Sequence, residues 1–474
     1  MDNFHNQYPD DTSDEFTVED GVLIEYAGGD ENVVIPADLG ITTIGSQAFA
    51  GCEFVESVVI PESVTKIEGG AFWGTHIASP ILINDQTPLS YVPPYYESYV
   101  IPDSVTSIGD EAFMGCRLTS IKIPFAVEKI GDGAFAGCAN LTTVLISENV
   151  TSIGDDAFKD CSSLTTITIP DSLVSVGAGA FDGTSLSAPV IINRGRKLVY
   201  VPADYVSYTV PETVIEIDGQ SFAGCELLES IEIPDSVSVV GDSAFLGTSL
   251  PEPILINNGQ TLCYVPDNYQ TYTIDDTVKS INAGAFAGCL NLESVVIPAS
   301  VTTIEDSAFA GCCSLESIAI PASVAKIGEF AFSGTNLPEP VISNDGKTLC
   351  YVPLRVKSFT IPATVTAIAA GAFENCSNLR SITIPDAITE IRARTFAFCE
   401  RLTDVTIPES VTAIGGGAFS CCYNLQRITI PASVTKIGFG AFSGCEKLMI
   451  AGAEGTFADV YATRNNIDFE VFSD

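Results

Sequence analysis

The stretch IPDSVTSIGDEAFMGC at residues 101–116 returns as IPASVTKIGFGAFSGC at residues 430–445, and related copies fill the chain around and between them. A Phe at one fixed place marks fifteen units, at positions 49, 72, 113, 135, 158, 181, 222, 245, 286, 309, 332, 373, 396, 419 and 442. Most successive units keep the spacing seen from Phe135 to Phe158, but four gaps are nearly twice as long, as from Phe181 to Phe222. The added segment has a pattern of its own, as in INRGRKLVYVPADYVSYTV from Ile192 and INNGQTLCYVPDNYQTYTI from Ile256, with relatives from Ile83 and Ile342. Each long unit therefore reads as a 23-residue coil followed by an 18-residue coil, about 19 coils in all. One such coil has no core of its own, so the pattern requires stacking.

Within a coil, Leu164, Ile167 and Ile169 carry the alternation of a strand buried on one face, and Pro170 follows where the strand must stop because proline has no amide to donate. Val411, Thr412, Ile414 and Gly415 read as a second short strand on another side. Ala-Phe-x-Gly-Cys reads as a tight helical turn, with Phe buried and a residue tolerant of left-handed backbone at its end. Residues 1–15 read as a disordered acidic tail, 16–60 as an N-terminal cap with the first coil, 61–450 as the solenoid with its four inserted coils, and 451–474 as a C-terminal cap of helix and strand. Phe457, Val460 and Tyr461 are the expected inner face of that helix.

Composition excludes several functions. Twenty-one Lys and Arg against 60 Asp and Glu give a net charge of −39, which repels nucleic-acid backbones and anionic membranes. No apolar run is long enough to span a bilayer, so no membrane insertion is expected. The opening MDNFHNQYPDDTSDEF lacks the basic and apolar regions of a secretory signal. His5 and His76 are the only histidines, which leaves little for imidazole catalysis. The acidic pairs fit no calcium-loop pattern and the glycines fit no phosphate loop. No catalytic, cofactor-binding or metal residues are assigned.

Eleven of fifteen cysteines stand three places after the repeat Phe, and the four long units place Thr75, Thr184, Thr248 and Thr335 there instead. A place that takes Cys or Thr selects a small side chain, so the expectation is a ladder of buried thiols. Cys263 and Cys350, in the inserts, are the expected exceptions. Disulfides between neighbouring coils stay open on geometry, although the odd total opposes complete pairing.

Two features exceed scaffold. Outward strand positions carry hydroxyls, as at Thr142, Thr143, Thr165, Thr166, Thr168, Thr383, Thr406 and Thr429. Eleven of fifteen tyrosines lie in the inserts. Tyr91, Tyr200, Tyr264 and Tyr351 are expected to fill the thinner coil. Tyr95, Tyr96, Tyr99, Tyr205, Tyr208, Tyr269 and Tyr272 are the expected partner contacts, because selectivity has to arise where a repeat is broken and tyrosine is favoured at interfaces. In the fourth insert Arg355, Lys357 and Phe359 make a basic edge instead.

The 23-residue pattern Leu-x-x-Ile-x-Ile-Pro-x-Ser-Val-Thr-x-Ile-Gly-x-x-Ala-Phe-x-Gly-Cys resembles the BspA-like, Treponema-type leucine-rich repeats of surface antigens, over roughly residues 20–470. The resemblance implies a right-handed leucine-rich-repeat superhelix with parallel β-sheet. It also implies, for several members, adhesion to host matrix proteins or other cells. The functional expectation is a non-enzymatic, monomeric module for a protein or glycoprotein ligand, as a bacterial cell-surface adhesin. An intracellular scaffold or secreted effector and a glycan-binding module remain the alternatives.

Overall fold

The computed structural model describes residues 15–83 and 88–471, so the expected tail lies outside it except for Glu15. The chain winds through about nineteen turns of parallel β-solenoid in two compact units, residues 1–205 with 213–222 and residues 206–212 with 223–474. In the first unit the strands Ser120–Lys122, Thr143–Leu145 and Thr166–Ile167 pair in parallel, Ser120 opposite Thr143 and Thr143 opposite Thr166. A second sheet joins Ser107–Ile108, Lys129–Ile130, Ser152–Ile153 and Ser175–Val176. The second unit repeats both ladders, for example Ser294–Val296 with Ser317–Ala319 and Ala413–Ile414 with Lys436–Ile437.

The third side is a turn, not a helix. Two places before and two places after each repeat Phe the backbone is left-handed in all fifteen units, as at Glu111 (φ 57°) and Gly115 (φ 70°) around Phe113. These two corners fold the chain back without one helical turn. The Phe amide is thereby freed to bond the next coil: Phe135 N donates to Ala157 O at 2.7 Å and Phe286 N to Ala308 O at 2.8 Å. In two units the second corner is neither Gly, Asn nor Asp, the residues there being Phe398 (φ 60°) and Cys421 (φ 58°). All fifteen phenylalanines are buried. Their rings form a file, with centroids 4.8 Å apart for Phe113 and Phe135 and 5.2 Å for Phe135 and Phe158.

The inserts begin differently from the expected plain coil. Each opens as an antiparallel hairpin, as in Val190–Ile192 with Lys197–Tyr200 and Ile254–Ile256 with Thr261–Tyr264. Asn257, Asn258 and Gly259 turn the latter, all with positive φ, a backbone that Asn and Gly adopt most readily. The second hairpin strand then starts the next parallel ladder, Leu262 opposite Ile281. The N-terminal cap is the same device: Phe16–Glu19 and Val22–Tyr26 pair antiparallel around Asp20 and Gly21, and Leu23 pairs with Ile44.

Buried side chains group accordingly into a cluster from Phe16 to Ile81, another from Leu89 to Ile192, and, in the second unit, clusters from Leu262 to Tyr351 and from Leu349 to Ala462. At the C-terminus the helix Phe457–Arg464 covers the last coil, followed by the strand Asp468–Val471. Its inner face differs from the expected one. Ala458 and Ala462 are buried and Tyr461 stacks on Phe442 at 5.8 Å, while Phe457 and Val460 are exposed.

Candidate interaction surfaces

The cysteine ladder is part of the fold. Thirteen of the fifteen cysteines are buried. In a regular stack the thiol donates to the Phe carbonyl of the preceding coil: Cys138 Sγ to Phe113 O at 3.0 Å, Cys161 to Phe135 O at 3.1 Å, Cys422 to Phe396 O at 3.1 Å. A unit followed by an insert receives no such thiol. There the threonine turns back to its own Phe, Thr184 Oγ1 to Phe181 O at 2.7 Å and Thr335 Oγ1 to Phe332 O at 2.8 Å. The Cys-to-Thr alternation thus follows from which donor can reach a carbonyl in the turn. Burial pushes the Cys116 and Cys376 thiols up to about 12. Cys263 and Cys350 are not the exceptions. They lie buried in the hairpin strands, while Cys313 is exposed and Cys421 half-buried.

The insert tyrosines divide into three kinds. Tyr91, Tyr200, Tyr264 and Tyr351 each follow one of the four threonines at the same interval, and Tyr351 Oη donates to Thr335 O at 3.1 Å. The rings of Tyr91, Tyr200 and Tyr264 meet the Phe of the coil before, as Tyr91 does with Phe72 at 5.7 Å. Tyr208 and Tyr272 occupy inward register positions of the sheet, opposite Ile231 and Val295. Tyr99 and Tyr272 stack edge-on against the Phe of the coil after, at 5.8 and 5.6 Å, and Phe359 does the same in the fourth insert. Tyr96 and Tyr269 pack half-buried against the same clusters, and Tyr205 is also half-buried. Tyr95 alone among the seven expected contacts is exposed, at 53%. Its hydroxyl donates to Ala78 O at 2.9 Å.

The hydroxyl-rich sheet also divides. Thr142 Oγ1 donates to Thr119 O at 2.9 Å and Thr165 Oγ1 to Thr142 O, so these rungs bond the stack itself. Strands farther along point Ser358, Thr360, Ser381, Thr383 and Thr406 to solvent around the inward Phe359, Ile382 and Val405. The hydroxyls of Thr360, Thr383 and Thr406 have no intramolecular partner among the described residues.

A cleft of about 340 Å³ opens at the first insert, between the turn of Phe72 and the turn of Phe113, and is lined among others by Trp73, Tyr91, Glu111 and Met114. Trp73 is the chain's single tryptophan and is 66% exposed, and Met114 is 44% exposed. Both follow the repeat Phe directly, a place where most units have Ala or Ser. Reading the sequence for its repeat passes over them, although two large apolar residues on either side of one insert are the signal that would find them. Among the described residues no cluster of metal-ligating side chains occurs, and no helix is long and apolar enough to cross a membrane.

The fold defines a leucine-rich-repeat solenoid, a class of typically non-catalytic binding scaffolds. The chain matches the family model of the BspA type leucine rich repeat region in six copies, over residues 30–91, 90–200, 200–262, 259–351 and 346–460, and it belongs to that family. The boundaries of these matches fall at the insert hairpins, where the core clusters also change. Among solved structures it is similar to a leucine-rich repeat protein from Bacteroides ovatus (26% identity, 81% of this chain and 92% of that one, TM-score 0.31). A leucine rich cell surface protein from Faecalibacterium prausnitzii is similar at 25% identity over 94% of each chain, with a TM-score of 0.34. A leucine-rich repeat protein from Eubacterium ventriosum is similar at 26% identity, over 77% of this chain and 92% of that one, with a TM-score of 0.34. No curated protein matches.

Proposed function

We propose that this protein is a cell-surface adhesin that binds a protein ligand through the outward face of its parallel sheet, with Tyr95 and the neighbouring insert tyrosines adding contacts at the edges of the repeat. The observation that carries this reading is the row Ser358, Thr360, Ser381, Thr383 and Thr406, solvent-facing hydroxyl side chains on rigid strands of a chain whose net charge is −39. Charge keeps the solenoid soluble and apart from its copies, and the hydroxyls of this row, interrupted by Asp404 in register with Ser381, offer donors and acceptors to a partner. The family's matrix-binding members supply the adhesin expectation.

Capture from immobilised matrix proteins and from cell lysates tests it, with Ser381→Lys/Thr383→Lys on the sheet beside Glu400→Lys on the turn. The sheet variant should lose at least tenfold in capture and the turn variant should not. Equal capture by both would remove the sheet from the account, and capture of glycans alone on a parallel array would replace the protein ligand.

A further inference from the structure

The first-insert cleft carries a carboxylate that no cation among the described residues neutralises, unlike the junction at the fourth insert. At the fourth insert, carboxylates at the junction between the flanking coils are neutralised by the chain's own arginines: Arg392 pairs with Glu329, and Arg394 donates to the nearly buried Glu374. Arg394 also lies 5.7 Å over the Phe398 ring, so guanidinium, carboxylate and aromatic face come together. At the first insert the coil after the cleft places Gly131 and Gly133 where those arginines stand relative to the repeat Phe. Glu111, which stands where the fourth insert has Gly371, faces no cation among the described residues. Its carboxyl group rests against Gly69 and Gly70, where an added Cβ would come within 3.2 Å of Cδ and 3.0 Å of Oε2, so two glycines make the room it occupies.

The rest of the cleft is built for a flat cation. Trp73 is held by its turn, its amide donating to Gly70 O at 3.0 Å and its carbonyl accepting from Gly51 N at 3.0 Å, with the indole projecting to solvent. Tyr91 is fixed against Phe72, and Met114 lines the same cleft. Glu68 is already engaged, accepting from Lys66 Nζ at 3.0 Å and Ser46 N at 3.1 Å, so Glu111 is the carboxylate open to a newcomer. Burial, with Asp110 beside it, pushes the Glu111 carboxyl up, the direction that an arriving positive charge reverses. A carboxylate and an indole face around a cleft of side-chain size suit guanidinium, which pairs with carboxylates through two parallel N–H donors and stacks on aromatic faces.

We propose that this cleft takes an arginine side chain of a partner protein, with the guanidinium on the Glu111 carboxylate and against the Trp73 face. The proposal rests on the reading of the chain as a protein-binding module and names the side chain that one of its sites receives.

Because Trp73 is the only tryptophan, its fluorescence reports the site in the whole protein. Titration with the peptide Ac-Gly-Arg-Gly-NH2 should give a saturable change, with binding at least tenfold weaker for the neutral citrulline analogue and for Glu111→Gln. Calorimetry on Trp73→Ala should show a loss of similar size, and the thermal melts of both variants should match that of the parent. No saturable response, a response equal for arginine and citrulline, or one that Glu111→Gln retains within twofold would overturn the proposal, as would saturation by a neutral pyranoside at lower concentration. Any of these would leave the capture experiment on the sheet face as the separate judge of the protein-binding reading.

Discussion

Phe286 has no exposed surface and stacks between Tyr272 and Phe309, so its ring links an insert to the regular file. Phe286→Ala should cost about 3–5 kcal/mol in denaturant melts, as other large core truncations do. A cost under about 1 kcal/mol would contradict the file of rings. The thiols give a second check at this scale. Native protein should offer two accessible groups to a thiol reagent, Cys313 and Cys421, and denatured protein close to all fifteen without reductant. A large shortfall after denaturation would mean disulfides. That Phe and Cys are core is legible in the sequence, because one residue type returning at one place in most units leaves little else for it to do. Which cysteines escape the core is not. Cys263 and Cys350 sit beside tyrosines in sequence, but they are buried in the hairpin strands next to the equally buried Leu262 and Leu349, whereas Cys313 and Cys421 are the neighbours of ladder cysteines and fall on the outer side of the turn.

At the scale of the element, the inserts restart the stack. An ordinary coil brings Phe to the turn side, but an insert brings Val92, Val201, Val265 or Val352 there, whose amides bond the next coil as Phe amides do: Val92 to Ala112 O at 2.7 Å and Val265 to Ala285 O at 2.9 Å. Tyrosines on either side then carry the aromatic file past the missing ring. Tyr272→Ser should therefore lower the melting temperature by several degrees, a loss of about 2–4 kcal/mol for a large half-buried ring, and Tyr95→Ser should leave it within about a degree. Equal effects would contradict the division between packing and exposed tyrosines. The lengthened spacing, as from Phe181 to Phe222, is enough to count the inserts. It does not reveal the hairpins that open them, although Asn257-Asn258-Gly259 carries the turn signal, because a hairpin in a parallel solenoid runs against the repeat that surrounds it. The helical reading of the turn fails for a related reason: Ala-Phe with small neighbours suits one helical turn locally, and the need of the Phe amide to bond the adjacent coil prevails.

For the molecule as a whole, buried thiols make stability depend on alkaline pH. Cys116 and Cys376 ionise in the folded protein only near about 12, against 9.0 for a free thiol, because burial disfavours the charged form. The unfolded chain therefore releases these protons first, so their contribution is fully present below about pH 9 and is lost as pH rises from about 9 towards 12. Denaturation midpoints should be level from about pH 7 to 8.5 and fall between about pH 9 and 11, and a midpoint that rises over that interval would contradict the thiol ladder. Binding is the central claim, and it concerns a face that the repeat makes regular. A photo-crosslinking side chain at Ser381 or Thr406, compared with one at Glu400 on the turn, tests it most directly with a captured protein partner. Crosslinks confined to Ser381 and Thr406 are the predicted result, and crosslinks confined to Glu400 would contradict it.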